Sequence, residues 1–311
     1  MKNWFAVVNP HAGVERSRKK WDYIEYLLSK EKISFDYLFT AYRMHAVEIV
    51  RKAIKEGYKK FIAVGGDGTV NEVVNGIFKS KNINPRDYTI AMIEVGTGND
   101  WGKTLGIPRD YKKSIKLIKE EKTVTQDVGL VKYYKKTNRY GRYFVNVAGM
   151  GFDAQVAMRT NLMKDKLRGY KFLYLWNLFV TLLKYNSKHA VVEIDGEKKA
   201  DGKVLSMNTG IGKYSGGKMQ FTPKAVYDDG LFDFTMINDV KKLEIIKNLS
   251  RVYNGTLLDY NKVDSFKGKT IKIRSKDKIY LEVDGESLGH TPFEFSIIPD
   301  ILNVVSIKGS E

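Results

Sequence analysis

A twelve-residue stretch in the first quarter of the chain joins an apolar run to a glycine-rich turn: residues 61–72 read FIAVGGDGTVNE. The run Phe61–Val64 has the composition of a buried strand, and a helix is predicted over Thr69–Phe78. The glycines between them let the backbone approach a ligand closely, and the first amides of a helix attract anions. The stretch therefore predicts a phosphate site between a strand and a helix.

Asp67 lies inside this turn. An acid beside a phosphate is useful when Mg²⁺ lies between them, because Mg²⁺ binds both carboxylate and phosphate oxygens. The alternative is a plain strand-to-helix turn in which Asp67 caps the helix. A dinucleotide-binding fingerprint does not fit, since Asn71 stands where that pattern requires glycine.

Strand-like and helix-like segments alternate throughout the first third of the chain. The other predicted strands are Trp4–Val8, Ser34–Thr40 and Tyr88–Val95, and the other predicted helices are about Val14–Lys30, His45–Glu56 and Tyr111–Glu121. This alternation is typical of parallel βαβ units, whose ligands bind at the carboxyl ends of the strands. Two further loops, Asn9-Pro10-His11-Ala12-Gly13 and Gly96-Thr97-Gly98-Asn99-Asp100, are therefore expected at the same edge.

From about Thr123 the pattern changes to short alternating runs separated by Gly and Asp. These runs are Tyr143–Val147, Val191–Ile194, Val204–Met207, Leu231–Ile237, Thr270–Arg274 and Lys278–Val283. They predict a mostly antiparallel second domain that begins near residue 130. The length of 311 residues is also typical of two domains.

One segment of the second part, Phe172–Leu183, is almost entirely apolar. It is too short to span a bilayer, which takes about 20 residues. A buried helix is the first interpretation. The alternative is a helix that borders an apolar ligand pocket or touches a membrane surface.

The composition excludes several classes of protein. The chain has no cysteine and only four scattered histidines, which excludes disulfides and thiolate sites and argues against zinc, so any metal is expected to be bound by oxygen. Its 53 basic and 36 acidic residues give a net charge of +17, which indicates an anionic partner. The N-terminus lacks the features of a signal peptide, so a cytoplasmic location is expected.

Read in order, NPHAG, GGDGTVNE and GTGND resemble the catalytic domain of the diacylglycerol kinase family, and especially its soluble bacterial lipid-kinase branch. The likeness continues in Asp127-Val128-Gly129, FVNVAGMGFDA with Asn146, Gly216-Gly217, Asp228-Asp229-Gly230-Leu231-Phe232-Asp233 and Val283-Asp284-Gly285-Glu286. The first loops also occur in sphingosine kinases, and GGDG alone occurs in NAD kinases and phosphofructokinases. The motifs of the second part are therefore the more specific ones.

The resemblance implies an α/β plus all-β fold. A parallel-sheet nucleotide domain would comprise residues 1–128 and about 296–311, and a β-sandwich lipid domain would comprise residues 129–295, with the active site in the cleft between them. The implied activity is ATP- and Mg²⁺-dependent transfer of the γ-phosphate to a lipid hydroxyl. A diacylglycerol-like acceptor would give phosphatidic acid, as in phospholipid biosynthesis.

The resemblance also implies roles for individual residues. Asp284 would be the general base, with Glu286 in support. The nucleotide would be bound by Asn9, Gly65, Gly66, Asp67, Gly68, Thr69, Glu72, Gly96, Thr97, Gly98 and Asn99. The catalytic Mg²⁺ would be held by Asp67, Asp100 and Asp127, and a structural Mg²⁺ by Asp228, Asp229 and Leu231.

Two features leave alternatives open. Asp-Gly is a frequent hairpin turn, and the chain has a second Asp-Gly-Glu at Asp195-Gly196-Glu197, so only the position in the family favours Asp284. Trp101-Gly102 stands where the bacterial kinases continue with Phe and Ala. This departure is expected to reshape the rim of the acceptor pocket.

The positive charge predicts peripheral attachment to anionic phospholipid at the inner face of the membrane. The basic clusters are Arg16, Arg18, Lys19 and Lys20; Lys132, Lys135, Lys136, Arg139 and Arg142; Lys164, Lys166 and Arg168; and Lys267, Lys269, Lys272, Arg274, Lys276 and Lys278. A homodimer is expected from the resemblance. The alternatives are a kinase for a soluble acceptor such as NAD and a nucleic-acid-binding protein, but nucleic-acid binding leaves the Gly/Asp loops unexplained.

Overall fold

The computed structural model describes residues 3–12, 17–96, 98–164 and 172–310. The chain divides into two compact units, which we call unit 1 (Met1–Val128 with Pro299–Glu311) and unit 2 (Gly129–Ile298). Both divisions fall at or inside long strands, Thr123–Lys135 and Glu286–Val305. The C-terminal residues thus belong to the unit in which the chain begins.

The helices and strands are numbered in chain order. The strands are β1 Trp4–Val8, β2 Phe35–Phe39, β3 Lys60–Gly65, β4 Thr89–Glu94, β5 Thr123–Lys135, β6 Asn138–Phe144, β7 Val147–Gly151, β8 Lys188–Ile194, β9 Glu197–Gly210, β10 Phe232–Asn238, β11 Val263–Gly268, β12 Thr270–Arg274, β13 Tyr280–Val283 and β14 Glu286–Val305. The α-helices are α1 Ser17–Lys30, α2 His45–Lys55, α3 Asp67–Phe78, α4 Asp100–Thr104, α5 Tyr111–Glu120, α6 Phe152–Lys164, α7 Phe172–Lys184, α8 Lys242–Asn248 and α9 Arg251–Asn254. Short 3₁₀ helices span Pro85–Asp87, Leu257–Asp259 and Ile307–Ser310.

Unit 1 is built on a parallel sheet with the strand order β2-β1-β3-β4 and the last residues of β14 beside β4. All residues of β1 are buried, as expected for a parallel strand covered on both faces. One face packs against α1 and α5 through residues such as Trp21 and Ile115. On α3, Gly76 leaves room for Val50 of α2, because a Cβ at Gly76 would lie 2.6 Å from the Val50 Cβ.

Unit 2 is antiparallel. Strand β9 pairs with β8 through its first half and with β7 and β10 through its second half, while β14 pairs with both β12 and β13. Because β13 pairs with β7 and β12 with β8, these pairings close on themselves around one apolar core. Within this core the rings of Phe144 and Phe232 stack, and Phe295 meets both of them edge-on.

Two predictions about unit 2 need correction. The predicted strand Tyr143–Val147 is interrupted, since β6 ends at Phe144 and β7 begins at Val147, and the amides at this break bind the carboxylate of Asp284. The segment Phe172–Lys184 is a helix, but not a fully buried one, because Trp176 is 56% exposed. In the described part of the chain, no helix is both long and apolar enough to cross a bilayer.

Candidate functional site

Three loops meet at the carboxyl ends of β1, β3 and β4 in unit 1. The Asn9 Nδ2 donates to the Thr69 Oγ1 at 3.2 Å, which links the first loop to the GGDGT turn. A Cβ at Gly96 would lie 3.6 Å from the Gly66 Cα, so the second and third loops are in contact. A Cβ at Gly65 would lie only 2.2 Å from the Thr69 Oγ1, so glycine is required there. Thr97 lies outside the described residues.

Asp67 does not cap its own helix. Helix α3 has no side-chain cap, and the Asp67 carboxylate instead accepts the backbone amides of Asp100 (3.1 Å) and Trp101 (3.0 Å) at the start of α4. The alternative interpretation of Asp67 as the cap of its own helix is therefore wrong. Burial raises the pKa of Asp67, as does the nearby Asp100 carboxylate, while the amide donors lower it.

Glu94 is a component of this site that sequence reasoning missed. Its buried carboxylate accepts the Asn99 Nδ2 at 3.0 Å and lies 3.3 Å from the Arg109 Nε. Arg109 also donates to the Gly98 carbonyl, so the pair holds the GTGND loop from two sides. Burial raises the pKa of Glu94 to about 7, although Asn99 and Arg109 lower it. Glu94 lies at the end of a strand, next to a glycine-rich loop, and this position in the sequence could have indicated it as a site residue.

Trp101 and Gly102, the two residues that differ from the pattern of the bacterial kinases, are buried in unit 1. Trp101 is 1% exposed, and its indole Nε1 donates to Gln126 at 3.0 Å. A Cβ at Gly102 would lie 2.1 Å from the Glu94 Oε1, so the glycine accommodates Glu94. The expectation that these two residues reshape the rim of an acceptor pocket is wrong for Trp101, because its side chain is part of the interior.

Two predicted site residues of unit 1 have carboxylates engaged by backbone amides. The Glu72 carboxylate accepts the amides of Met44 (2.8 Å) and Ala46 (3.1 Å) at the start of α2. The Asp127 Oδ1 accepts the Asp300 amide at 2.9 Å. Glu72 was predicted to bind the nucleotide and Asp127 to bind Mg²⁺. In the structure, each carboxylate also holds backbone amides of a neighbouring segment.

The predicted catalytic Mg²⁺ ligands form a pair rather than a cluster. Within residues 3–12, 17–96, 98–164 and 172–310, no three Asp, Glu or His side chains are placed to share one metal ion. Asp67 and Asp100 do lie side by side at the glycine-rich loops. Because Mg²⁺ is commonly held by one or two carboxylates together with substrate phosphates, this pair fits such an ion.

In unit 2, Asp284 and Gly285 form the two-residue turn between β13 and β14. Both have positive φ, 47° and 84°, as a type I′ hairpin turn requires. The buried Asp284 carboxylate accepts the amides of Val145 (3.2 Å), Asn146 (3.2 Å) and Val147 (3.1 Å). Amide donors stabilise the ionised form of a carboxylate. The half-buried Glu286 follows at the start of β14.

The second Asp-Gly-Glu forms the same turn in a different setting. Asp195 and Gly196 have φ values of 50° and 86°, but Asp195 is exposed. Its carboxylate accepts the Lys269 and Thr270 amides, and these bonds lower its pKa against the effect of desolvation. Glu197 is exposed and paired with Lys199. Of the two Asp-Gly-Glu aspartates, Asp284 is buried and Asp195 is exposed.

Two further carboxyl groups follow in the same unit: Glu282 lies near Asp284, and Asp153 lies near Glu282. The Glu282 Oε2 accepts the Gly285 amide at 2.9 Å, and burial raises the pKa of Glu282 to about 8, with Asp284 adding to the shift. Asp153, at the start of α6, accepts the Ser206 Oγ at 2.6 Å and the Asn208 Nδ2 at 2.9 Å. Burial also raises the pKa of Asp153. Asp153 belongs to the motif FVNVAGMGFDA, which was the signal for it.

An apolar cavity opens beside Asp153 in unit 2. Its wall is formed mainly by α6, α8 and β9, and its polar lining residues are Asp153, Ser206, Glu244, Asn248 and Tyr260. The apolar residues that line it are Phe152, Val156, Leu205, Met219, Phe221, Ile237, Val240, Ile245, Leu249, Val252 and Leu257. The cavity therefore suits a hydrocarbon ligand with a polar end.

The residues predicted for a structural Mg²⁺ do not fit that ion. The Asp229 Oδ1 accepts the Leu231 amide at 3.1 Å, and the Lys267 Nζ lies 2.8 Å from the Asp229 Oδ2. The same ammonium lies 3.4 Å from the buried Asp233 carboxylate, which β10–β11 pairing places opposite Lys267. A lysine therefore provides the positive charge that a cation would bring.

Comparison with protein families gives two matches that together cover most of the chain. Residues 3–131 match the diacylglycerol kinase catalytic domain, and residues 146–306 match the YegS C-terminal NAD kinase beta sandwich-like domain. A diacylglycerol kinase of Staphylococcus carnosus is 29% identical over 97% of this chain and 94% of its own length. One from Staphylococcus aureus strain RF122 is 30% identical over 93% of this chain and 87% of its own length.

Solved structures show the same fold. A diacylglycerol kinase from Bacillus anthracis superposes with a TM-score of 0.71 at 21% identity, covering 98% of this chain and 96% of the other. An NAD kinase from Archaeoglobus fulgidus in complex with ATP superposes with a TM-score of 0.54 at 12% identity, covering 98% and 95%. The fold is therefore common to kinases with different acceptors.

Proposed function

Because the chain belongs to the diacylglycerol kinase family, we propose that it transfers the γ-phosphate of ATP to the hydroxyl of a diacylglycerol-like lipid, giving phosphatidic acid. Unit 1 supplies the donor site, and unit 2 supplies the acceptor site and the base. The single observation that carries the choice of a lipid is the apolar cavity of unit 2. A soluble acceptor such as NAD would not need a wall of aliphatic and aromatic side chains.

The donor site rests on the three loops of unit 1. Glycines at positions 65, 66, 96 and 98 leave space beside the first turn of α3, whose leading amides have no partner inside the helix. Asp67 and Asp100 would hold Mg²⁺ against the phosphates. When bound, this ion offsets the charge of the triphosphate oxygens. Glu94 and Arg109 fix the backbone of the loop that carries Asp100.

Asp284 is the proposed base. It accepts the hydroxyl proton of the lipid as that oxygen bonds to the γ-phosphorus and the bond to the β,γ-bridging oxygen breaks, which releases ADP. Its position on a rigid turn, fixed by three backbone amides, supports this role because a base must be positioned before it can act. Asp195 lacks this buried setting and is the matched control.

An active site between the two units and a cytoplasmic location stay predictions.

The proposal is tested by following labelled γ-phosphate from ATP with Mg²⁺. The acceptors are dioleoylglycerol, phosphatidylglycerol and sphingosine in mixed micelles, with NAD in a parallel reaction. Label in phosphatidic acid is the expected result. Label on NAD alone would keep the donor site and overturn the lipid acceptor.

The role of the cavity has its own test. Val252→Phe adds bulk to the wall of the cavity and should raise the KM for dioleoylglycerol more than the KM for dihexanoylglycerol, which has much shorter chains. Equal effects on both acceptors would mean that the cavity does not receive an acyl chain.

A further inference from the structure

Helix α7 exposes three large apolar side chains. Trp176, Phe179 and Leu183 are 56%, 47% and 54% exposed, and their spacing places them on one face of the helix. The polar Asn177 and Thr181 are buried instead. A helix on the surface of a globular unit normally has the reverse arrangement.

Helix α8 extends this apolar face. Leu243 and Ile246 are 72% and 51% exposed, and the Lys242 Nζ donates to the carbonyl of Leu183 at the end of α7. The inward-facing Leu182 and Ile245 pack on one apolar cluster beneath the two helices. We call the five exposed side chains Trp176, Phe179, Leu183, Leu243 and Ile246 the α7–α8 face.

Lysines border the α7–α8 face. Lys184, Lys241, Lys242 and Lys247 are exposed on or beside the two helices. The one acid within α7 and α8 is Glu244, which lies 2.9 Å from the Tyr260 hydroxyl and 3.7 Å from the Lys262 Nζ. An exposed apolar face bordered by lysines has the composition of a segment that binds at an anionic membrane surface.

The basic clusters predicted from the sequence are less suited to this role. Arg139, Lys267 and Arg274 form ion pairs with acids of unit 2, and Arg142 is buried. The members Arg16, Lys166 and Arg168 lie outside the described residues. The α7–α8 face is therefore the better candidate among the described residues, since it combines charge with exposed apolar area.

We propose that the α7–α8 face docks unit 2 on an anionic bilayer, with its apolar side chains in the interface and its lysines at the headgroup phosphates. Ile245 and Asn248, on the other side of α8, line the apolar cavity. Docking would thus bring the cavity next to the bilayer that contains the substrate. This last step rests on the proposed lipid kinase function, whereas docking itself does not.

The tryptophans allow a direct test. Of the four tryptophans, Trp4, Trp21 and Trp101 are buried, and Trp176 belongs to the face. Vesicles of phosphatidylcholine and phosphatidylglycerol with brominated acyl chains should quench the fluorescence of the full chain. The quenching should disappear in Trp176→Phe, which still binds vesicles in sedimentation. Vesicle binding without quenching, or no vesicle binding at low salt, would overturn the proposal.

Charge variants give an independent readout. Lys242→Gln and Lys247→Gln should each weaken vesicle binding about fivefold at low salt. The matched control is Lys272→Gln with Lys276→Gln, two exposed lysines of a sequence-predicted cluster, which should leave binding unchanged. A loss of binding in the control pair, with none in the α7–α8 variants, would place docking on the other surface.

The test also separates docking from catalysis. Phosphorylation of dihexanoylglycerol dissolved as monomers should persist in Lys242→Gln and Lys247→Gln, because this acceptor needs no bilayer. Quenching without lipid phosphorylation by the wild type would leave docking intact and remove the proposed function. Activity on the dissolved acceptor, with no quenching by vesicles, would support the proposed function and overturn docking.

Discussion

Asp284 and Asp195 show how much of a residue's role depends on its surroundings. Both occupy the first position of the same type of turn, and the local sequence, Asp-Gly-Glu, is identical. The amides that surround Asp284 come from Val145, Asn146 and Val147, which are more than a hundred residues earlier in the chain. The sequence therefore predicts both turns, but only the fold distinguishes the buried carboxylate from the exposed one.

Glu282, two residues before Asp284, should make stability depend on pH. Burial raises its pKa to about 8, whereas an unfolded chain releases this proton at about pH 4.3. Between these values the folded state holds a proton that the unfolded state has lost, so the wild type loses stability as pH rises. The glutamine of Glu282→Gln does not titrate. As pH rises, the free energy of unfolding of this variant should therefore increase relative to that of the wild type by up to about 1.4 kcal/mol per pH unit.

Urea unfolding of both proteins between pH 5 and pH 8 or so checks this slope. Parallel pH profiles for Glu282→Gln and the wild type would mean that the Glu282 carboxyl is ionised in the folded state across this range.

Lys267 lies between Asp229 and the buried Asp233, where the resemblance implied a metal. Lys267→Met keeps the length of the side chain but leaves Asp233 without its cation. Because Lys267 is 42% exposed, we expect a loss of about 1–3 kcal/mol in the free energy of unfolding. Asp233→Asn in the same background should recover part of this loss.

Mg²⁺ provides the complementary measurement for Lys267. If Lys267 supplies the positive charge at Asp229, Mg²⁺ should not raise the Tm of the nucleotide-free wild type by binding there. A rise in Tm with Mg²⁺ that disappears in Asp229→Asn would show that a metal, and not the ammonium, occupies this position.

The link between β4 and α4 depends on a close contact between Gly102 and the Glu94 carboxylate. A Cβ at Gly102 would lie 2.1 Å from the Glu94 Oε1, so Gly102→Ala should cost about 1–3 kcal/mol of stability. Glu94→Ala removes the obstruction, and the double variant should be more stable than the sum of the two single effects predicts. Strict additivity in urea unfolding would contradict this contact.

Gly202→Ala is the control for this pair, because a Cβ at Gly202 meets nothing within 4 Å. Its effect should stay within about 0.5 kcal/mol.

The alternation of strands and helices in unit 1 could be predicted from the sequence, because each buried strand is an apolar run between loops. The break between β6 and β7 could not, since Val145 and Val147 continue an alternating pattern. The break exists because the amides there bind Asp284 instead of continuing a single strand. Similarly, Phe172–Leu183 reads as a buried helix, and only its packing shows that Asn177 faces inward.

For the whole molecule, the net charge of +17 predicts an anionic partner but not the surface that meets it. Clusters in the sequence do not predict this surface, since some basic side chains fold back onto acids, as Arg139 does on Glu294. The α7–α8 face joins helices that are far apart in sequence. Its apolar part and its lysines are therefore visible only when the chain is folded.

The chain is proposed to phosphorylate a lipid with Asp284 as the base. The most direct test compares phosphate transfer from ATP to dioleoylglycerol by the wild type, Asp284→Asn and Asp195→Asn. We expect Asp284→Asn to lower kcat about 10²- to 10⁴-fold, the usual contribution of a general base, and Asp195→Asn to match the wild type. Equal activity of the wild type and Asp284→Asn, or no transfer to any lipid by the wild type, would contradict the account.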